Sequence, residues 1–260
     1  MTEKLVLTRK NGSVAAVTIN RPKIMNAVNI ETLTLLLSAF ERLAIDKEVR
    51  VVTLEGAGEN FCVGADMADM ALLNEKFDSI QWYDLLKNVV GKLILTMRTM
   101  PQPVICKVRG NAYGFGVGLA LAGDFVVASD NARFCEIFVN MGLTLDGGSS
   151  YFLPRLIGMA KARELALLGG TIDGKTAASI GLIYRSVPEK ALDKEVSSLA
   201  QMLAAKSSQS LKSIKDALER SFDMSLEDAL EWEASHQAIF LQSGEHKTAV
   251  QQFLNTHKKK

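Results

Sequence analysis

Cysteine and histidine are both scarce in this chain, and neither is spaced for metal or redox chemistry. Cys62, Cys106 and Cys135 are an odd set, each embedded in apolar sequence and without C-x-x-C spacing. They are expected to be reduced, buried thiols of a cytoplasmic protein, with no disulfide and no metal site. Charge of one sign is also missing: the formal net charge is +1, which argues against a nucleic-acid partner held by a basic surface. No stretch approaches the ~20 consecutive apolar residues of a membrane span, so no membrane partner is expected. The opening residues Met1–Arg9 carry no apolar signal stretch and read as a strand. His236, His246 and His257 all fall in the C-terminal part, where surface or interface packing is the expected role. The tail His257-Lys-Lys-Lys260 shows no sorting signal. It reads as a solvated terminus, with a phosphate contact as the sharper reading.

What is present is apolar bulk. Apolar residues make up 48% of the 260 and charged residues 23%, so the chain is globular and can bury a full core. Leu5–Thr8 and Val14–Ile19 are β-rich runs joined by Lys10-Asn-Gly-Ser13, a hairpin signal. Asn29 reads as an N-cap, with Leu33, Leu36, Leu37, Phe40 and Leu43 following at helical spacing. A strand over Val49–Leu54 comes next. A long helix is expected from about Ser79 to Arg98, with Trp82, Leu85, Leu86, Val89, Leu93 and Leu95 on its apolar side. Pro101 and Pro103 end it and open the strand Val104–Val108. A short small-residue helix (Gly116–Ala122) and the strand Phe125–Ala128 follow. Alternation of this kind implies parallel strands with helical crossovers, an α/β fold.

After Val187-Pro188 the pattern becomes almost wholly helical, with breaks near Ser207, Ser225 and Gly244. The expected organisation is an α/β core over residues 1–190 and a C-terminal helical section over 191–260, with no linker, repeat or low-complexity tract. Leu226, Leu230, Ile239, Phe240 and Phe253 form apolar stripes in that section. Oligomerisation through these helices is expected, although helices capping their own core fit the stripes equally well.

Two short segments carry the chemistry. Phe61-Cys-Val-Gly-Ala-Asp66 and Gly110-Asn-Ala-Tyr-Gly-Phe-Gly-Val-Gly118 both place small residues where a strand hands over to a helix. Such turns leave backbone N–H groups unpaired and aimed outward. Two of them facing one point would hold the developing negative oxygen of an enolate or thioester. A dinucleotide site is disfavoured, because the third glycine of Gly114-Phe-Gly-Val-Gly118 comes one residue early and the following helix is too short. A purely structural role, with the glycines serving close helix packing, stays open for this motif.

In these segments the chain resembles the enoyl-CoA hydratase/isomerase (crotonase) superfamily. Arg21-Pro-Lys-Ile-Met-Asn-Ala27 is similar to that family's R-P-x-x-x-N-A segment, and Phe61–Asp66 to its F-x-x-G-A-D turn. Pro103–Gly110 and the glycine turn after it match the second oxyanion segment. Gly169-Gly170, Gly181-Leu182 and Val187 match the stretch beyond the core. The resemblance implies a crotonase-like superhelix of ββα turns with C-terminal helices that mediate a homotrimer or dimer of trimers. It implies an acyl-CoA substrate with no separate cofactor, coenzyme A entering as part of the thioester. The oxyanion donors would be the backbone N–H groups of Ala65 and Phe115. Lys23 and the Val63–Asp66 backbone (Val63, Gly64, Asp66) would meet the adenine, and Gly114, Gly116, Gly118 and Phe138 would complete the substrate site. Ala68 stands where many members carry a lysine near the CoA phosphates.

The departures from the family pattern set the reaction. The two glutamates that hydratases use as base and acid correspond to Gly118 and Phe138, so hydration is disfavoured. Glu136 is nearby but two residues out of register. Asp146, within Gly142-Leu-Thr-Leu-Asp-Gly-Gly-Ser-Ser150, looks like the single aspartate of the isomerase branch, which includes epoxyphenylacetyl-CoA isomerases and Δ3,Δ2-enoyl-CoA isomerases. The expected activity is 3-enoyl to 2-enoyl isomerisation, with Asp146 moving the proton and its pKa raised by burial. Against it stands an N-cap role for Asp146 at the helix beginning near Ser149. The resemblance also leaves room for a ring-epoxide isomerase, a hydratase, an aspartate-nucleophile dehalogenase, a dienoyl isomerase or a non-catalytic acyl-CoA-binding paralogue. Trp82, Tyr83 and Phe77 are candidates for an acyl tunnel or for core.

Overall fold

The computed structural model describes residues 4–257, so Met1–Glu3 and the lysines of the basic tail lie outside the described residues. The chain runs β1 (Val6–Asn11), β2 (Val14–Ile19), α1 (Ile30–Ile45), β3 (Val51–Gly56), α2 (Met67–Asn74) and α3 (Ser79–Leu85). A π-helical stretch, Leu86–Gly91, joins α3 to α4 (Lys92–Thr99). Then come β4 (Val104–Val108), β5 (Asn111–Tyr113), α5 (Phe115–Leu121), β6 (Phe125–Ser129), β7 (Arg133–Cys135) and α6 (Ser149–Leu168), the last broken at Gly158. β8 (Thr171–Asp173), α7 (Gly174–Ser179), β9 (Arg185–Val187) and α8 (Glu189–Ala204) follow. The C-terminal helices are α9 (Ser208–Arg220), α10 (Leu226–Leu241) and α11 (Gly244–His257).

The larger sheet has the order β1-β2-β3-β4-β6-β9. The hairpin β1–β2 is antiparallel, as the Lys10–Ser13 turn predicts, and every later pair in this sheet is parallel. A second sheet, β5-β7-β8, stands beside it. Strand side chains alternate between faces, and here each face has its own core. Val17, Val52, Leu54, Cys106, Val108 and Val126 pack into the main core with α1, α4 and α5. The intervening Val51, Ile105 and Val127 point the other way, onto Leu192, Val196 and Leu199 of α8. Strands buried on both faces read as apolar runs, as Phe125–Ala128 does throughout and Val104–Val108 does except at Lys107, which pairs with Glu55 and Asp193.

That second core moves the expected boundary. The chain divides into two compact units after Ala204, not near residue 190. α8 carries the helical pattern of the C-terminal section, yet it covers the sheet's second face and so belongs to the first unit. The second unit is α9–α11, and the expected breaks near Ser207 and Ser225 fall at its helix starts: Ser207 caps α9 by accepting from Ser210 N, and Ser225 caps α10 by accepting from Asp228 N. Leu226, Leu230, Ile239 and Phe253 are exposed on it. His236 stacks on Trp232 with ring centroids 3.6 Å apart, and His246 is exposed.

The long helix begins at Ser79 as expected, and Asp78 closes a full capping box with Gln81. Leu95 is a correction. It is 63% exposed, whereas Leu93, Ile94 and Met97 are buried. Two residues beyond Leu93 is about 200° around the helix, so Leu95 faces away from the core. No described helix is long and apolar enough to cross a membrane.

Candidate active site

The loop after β3 is held from below by the Arg21–Ala27 segment. Asn26, itself in the left-handed region with φ 57°, donates from Nδ2 to the carbonyls of Ala57 (2.9 Å) and Asn60 (2.7 Å). Its Oδ1 accepts from Arg21 N (2.9 Å). Arg21 donates to the Ala27 carbonyl at 2.7 Å and pairs with Asp66 at 2.9 Å. Asp66 in turn caps α2, accepting from Ala68 N and Asp69 N. The arginine and asparagine of this segment are therefore joints that shape the Phe61–Asp66 turn. Gly64 turns the chain at φ 92°. Its carbonyl accepts from Val28 N and the Val28 carbonyl accepts from Asp66 N, both at 2.8 Å. The residue between them, Ala65, is left with its N–H unspent.

The second turn lies against the first. Cys62 N donates to the Asn111 carbonyl (3.1 Å) and Tyr113 N to the Cys62 carbonyl (3.0 Å), zipping the two segments together. Gly114, at φ 50°, donates to the Cys135 carbonyl at 2.8 Å. Phe115 then opens α5, where the first N–H groups have no intrahelical acceptor. Among the described residues, neither Ala65 N–H nor Phe115 N–H finds a backbone acceptor. A methyl group built on Gly64 would stand 3.7 Å from Phe115 N, which fixes how closely the turns approach.

Both turns open onto a cavity of about 400 Å³. Val63, Gly64, Ala65, Asp66, Gly114, Phe115, Phe138 and Asp146, all candidate site residues from the sequence, line it. The far wall is apolar, built from Leu33, Met70, Leu73, Trp82, Leu86 and Val90 among others. Ala68 lines it as well. Of the three aromatic candidates, Trp82 lines the cavity, Phe77 packs edge-on against it at 5.4 Å, and Tyr83 is 58% exposed. The π-helical stretch supplies Leu86 and Val90, so the irregular turn of the long helix sits at the cavity wall.

Three expected substrate residues do not reach this space. A Cβ on Gly116 would collide with the Cys62 carbonyl, and one on Gly118 would lie 2.6 Å from the Gly147 carbonyl. Both are packing glycines, which let α5 lie against neighbouring backbone, and neither lines the cavity. Lys23 is exposed beside Ile24, and it is Ile24 that lines the cavity.

Asp146 is not a helix cap. Gly148 is the N-cap of α6, no side chain caps the helix, and Ser149 N donates to the Asp146 main-chain carbonyl at 3.0 Å. The Asp146 carboxyl is free of that duty: its Oδ1 is buried with no hydrogen-bond partner. Burial pushes its pKa up to about 6. The three cysteines are buried and free, and burial raises each thiol, Cys62 to about 12, so none is a nucleophile at neutral pH.

A second buried carboxyl lies near the site, out of register with the family's glutamates. Glu136 is 2% exposed, and neither carboxyl oxygen has a hydrogen-bond partner. Burial raises its pKa to about 7; the adjacent Ser149 hydroxyl opposes the shift and the Asp146 charge adds to it. Ser149 stands close to this carboxyl, but no hydrogen bond of good geometry joins them. Its signal in the sequence is a lone glutamate inside an apolar run, Phe134-Cys-Glu-Ile-Phe138.

An apolar cavity with two free N–H donors and one buried carboxyl is an arrangement that can stabilise an oxyanion. The family model described as Enoyl-CoA hydratase/isomerase matches residues 9–260, and the chain belongs to this crotonase family. It is 31% identical over 251 residues (96% of this chain, 95% of the relative) to a 1,2-epoxyphenylacetyl-CoA isomerase of Escherichia coli. It is 33% identical over 241 residues (93% and 91%) to a probable enoyl-CoA hydratase of Rhodobacter capsulatus. The crystal structure of a putative Enoyl-CoA hydratase/isomerase from Mycobacterium abscessus superposes with a TM-score of 0.91 at 34% identity, covering 96% of each chain. The fold is therefore the crotonase α/β fold with a helical C-terminal region, and the relatives include both hydratases and isomerases.

Proposed function

We propose that this protein moves the double bond of an enoyl-CoA from the 3 to the 2 position, using Asp146 as the one base. The observation that carries this is the state of Asp146: a buried carboxyl in an apolar cavity, spared from helix capping and next to two turns with unspent N–H groups. The positions where the hydratases of this family hold their glutamates are Gly118 and Phe138, and neither offers a carboxylate.

The chemistry needs no more than this. The Asp146 carboxylate takes the α proton of a 3-enoyl thioester, and the C–H electron pair enters a dienolate whose charge gathers on the thioester oxygen. Ala65 N–H and Phe115 N–H receive that oxygen; losing one such donor typically costs ~3–4 kcal/mol of transition-state stabilisation. Asp146 then returns the same proton to the γ carbon, and the double bond stands conjugated with the thioester. Nothing is consumed. Phe138 and the apolar wall keep out the water that hydration requires. The CoA portion would run past Lys23 and the Val63–Asp66 backbone, and α9–α11 would join subunits into a trimer or a dimer of trimers.

The test is incubation with 3-hexenoyl-CoA and 2-hexenoyl-CoA, following enoyl absorbance and products, beside Asp146→Asn. Conjugation of the 3-enoyl substrate that Asp146→Asn abolishes, with no hydration of the 2-enoyl one, supports the isomerase. Hydration at a substantial rate would overturn it. A ring-epoxide thioester is the second substrate to try, on the strength of the Escherichia coli relative's name.

A further inference from the structure

Close to Asp146 lie buried oxygen-bearing side chains, outside the cavity lining, that the proposed proton transfer does not account for. Glu136 follows β7 and precedes the short 3-10 turn Ile137–Met141. Ile137 and Phe138 line the cavity and Glu136 does not. Both Glu136 carboxyl oxygens, Asp146 Oδ1 and Ser149 Oγ are buried and without hydrogen-bond partners. Asp146 is the charge that acts on Glu136 among the described residues, Ser149 of α6 is the polar group beside it, and Cys135 of β7 is its neighbour in the chain. Among the described residues, no cation acts on either carboxyl.

Two carboxylates buried near each other without a cation cannot both be charged cheaply. If both were ionised, the Ser149 hydroxyl would be the one proton for a cluster of acceptors. A proton left on one carboxyl removes the repulsion and gives the cluster a second donor. Of the two groups, Asp146 faces the cavity and must ionise to work; Glu136 faces only protein.

We propose that Glu136 is a positioning residue: it keeps its carboxyl proton while Asp146 is ionised and shares it into the Asp146–Ser149 cluster, holding the Asp146 carboxylate in its working orientation. This inference rests on Asp146 being the base of the proposed isomerase. The order of ionisation agrees with it, since burial leaves Asp146 at about 6 and Glu136 at about 7. Between those values the cluster holds one proton, and the two groups titrate as a pair.

The experiment compares pH profiles of kcat and KM for the wild type, Glu136→Gln and Glu136→Leu. The wild type should rise as Asp146 ionises and fall as Glu136 does. Glu136→Leu should lower kcat about ten- to a hundredfold, the worth of a hydrogen bond to a charged group, with KM little changed. Glu136→Gln, which keeps a donor and cannot ionise, should recover most of that loss and remove the decline above neutral pH. A Glu136→Gln profile superimposable on the wild type, or equal losses in both variants, overturns the proposal.

A readout free of turnover uses protein with 13C-labelled glutamate carboxyls. The signal lost in Glu136→Gln should remain protonated at about pH 6.5, between the two ionisations, and Asp146→Asn should move its midpoint downward. A Glu136 signal that titrates like an exposed glutamate, or that ignores Asp146→Asn, overturns the pairing. If the pairing is seen but no enoyl thioester is isomerised, the failure belongs to the reaction assigned and not to the pair.

Discussion

Gly64 and Phe115 stand so close that a methyl group on the glycine would lie 3.7 Å from the Phe115 main-chain nitrogen and 3.0 Å from the Tyr113 carbonyl oxygen. The two turns of the candidate oxyanion hole are thus spaced by the absence of a side chain. Gly64 also sits at φ 92°, where L-residues are strained. Gly64→Ala should lower stability by about 1–3 kcal/mol and spread the turns. Displacement of a donor by a fraction of an ångström to about 1 Å costs on the order of a hundredfold in rate. Denaturant unfolding and kcat/KM on 3-hexenoyl-CoA measure the two effects, and a folded variant with undiminished turnover would show that the turns do not hold the oxyanion.

Asp146 should cost the protein stability. Its ordinary value is 3.8 and burial raises it to about 6 in the folded chain. The folded state therefore binds the proton more tightly than the unfolded state. The penalty is absent below about pH 4, grows as pH rises, and is complete above about pH 6. Asp146→Asn should be more stable than the wild type at neutral pH by about 1–3 kcal/mol, with the gain vanishing near pH 4. Urea midpoints at the two pH values check this, and a gain that is equal at both would contradict the burial of the charge.

The resemblance places a hydratase glutamate at Gly118, yet the carboxylate cannot be restored by substitution. A Cβ there would lie 2.6 Å from the Gly147 carbonyl, so Gly118→Glu must push the Gly147–Gly148 turn away from α5. Because that turn leads from Asp146 into α6, the variant should lose isomerase activity and gain no hydration of 2-hexenoyl-CoA. Gly118→Ala should already destabilise by about 1–3 kcal/mol through overpacking. A stable Gly118→Glu protein that adds water would mean that α5 is free to move.

Ile94 and Leu95 separate burial from sequence pattern. Ile94 is 7% exposed and Leu95 63%. Ile94→Ala should cost about 2–5 kcal/mol, and Leu95→Lys should stay within about 0.5 kcal/mol of the wild type. Thermal melts of the two variants decide it; comparable losses would mean that Leu95 is covered in the protein as it exists in solution.

Local pattern carried much of the architecture. The hairpin turn, the Asn29 cap, the helix breaks near Ser207 and Ser225 and the strand Val104–Val108 were legible because each depends on residues a few positions apart. The same held for the two glycine turns. The domain boundary was not legible, since α8 has the same helical pattern as α9–α11 and only its seat on the sheet distinguishes it. Gly116 and Gly118 belong to the same class of error. Glycine spacing announces a close approach but does not say whether ligand or backbone approaches, and here it is the Cys62 and Gly147 carbonyls.

By itself the sequence determined the family, the α/β alternation, the two turns and the candidate aspartate Asp146, because these are matters of residue type and short spacing. The tertiary structure decided what those residues are free to do. It capped α6 through backbone and so released the Asp146 carboxyl, and it turned Gly118 toward the Gly147 backbone. It also buried Glu136 beside the charge of Asp146, farther along the chain. Capping, burial and charge proximity are set by distances across the fold, and no local pattern encodes them.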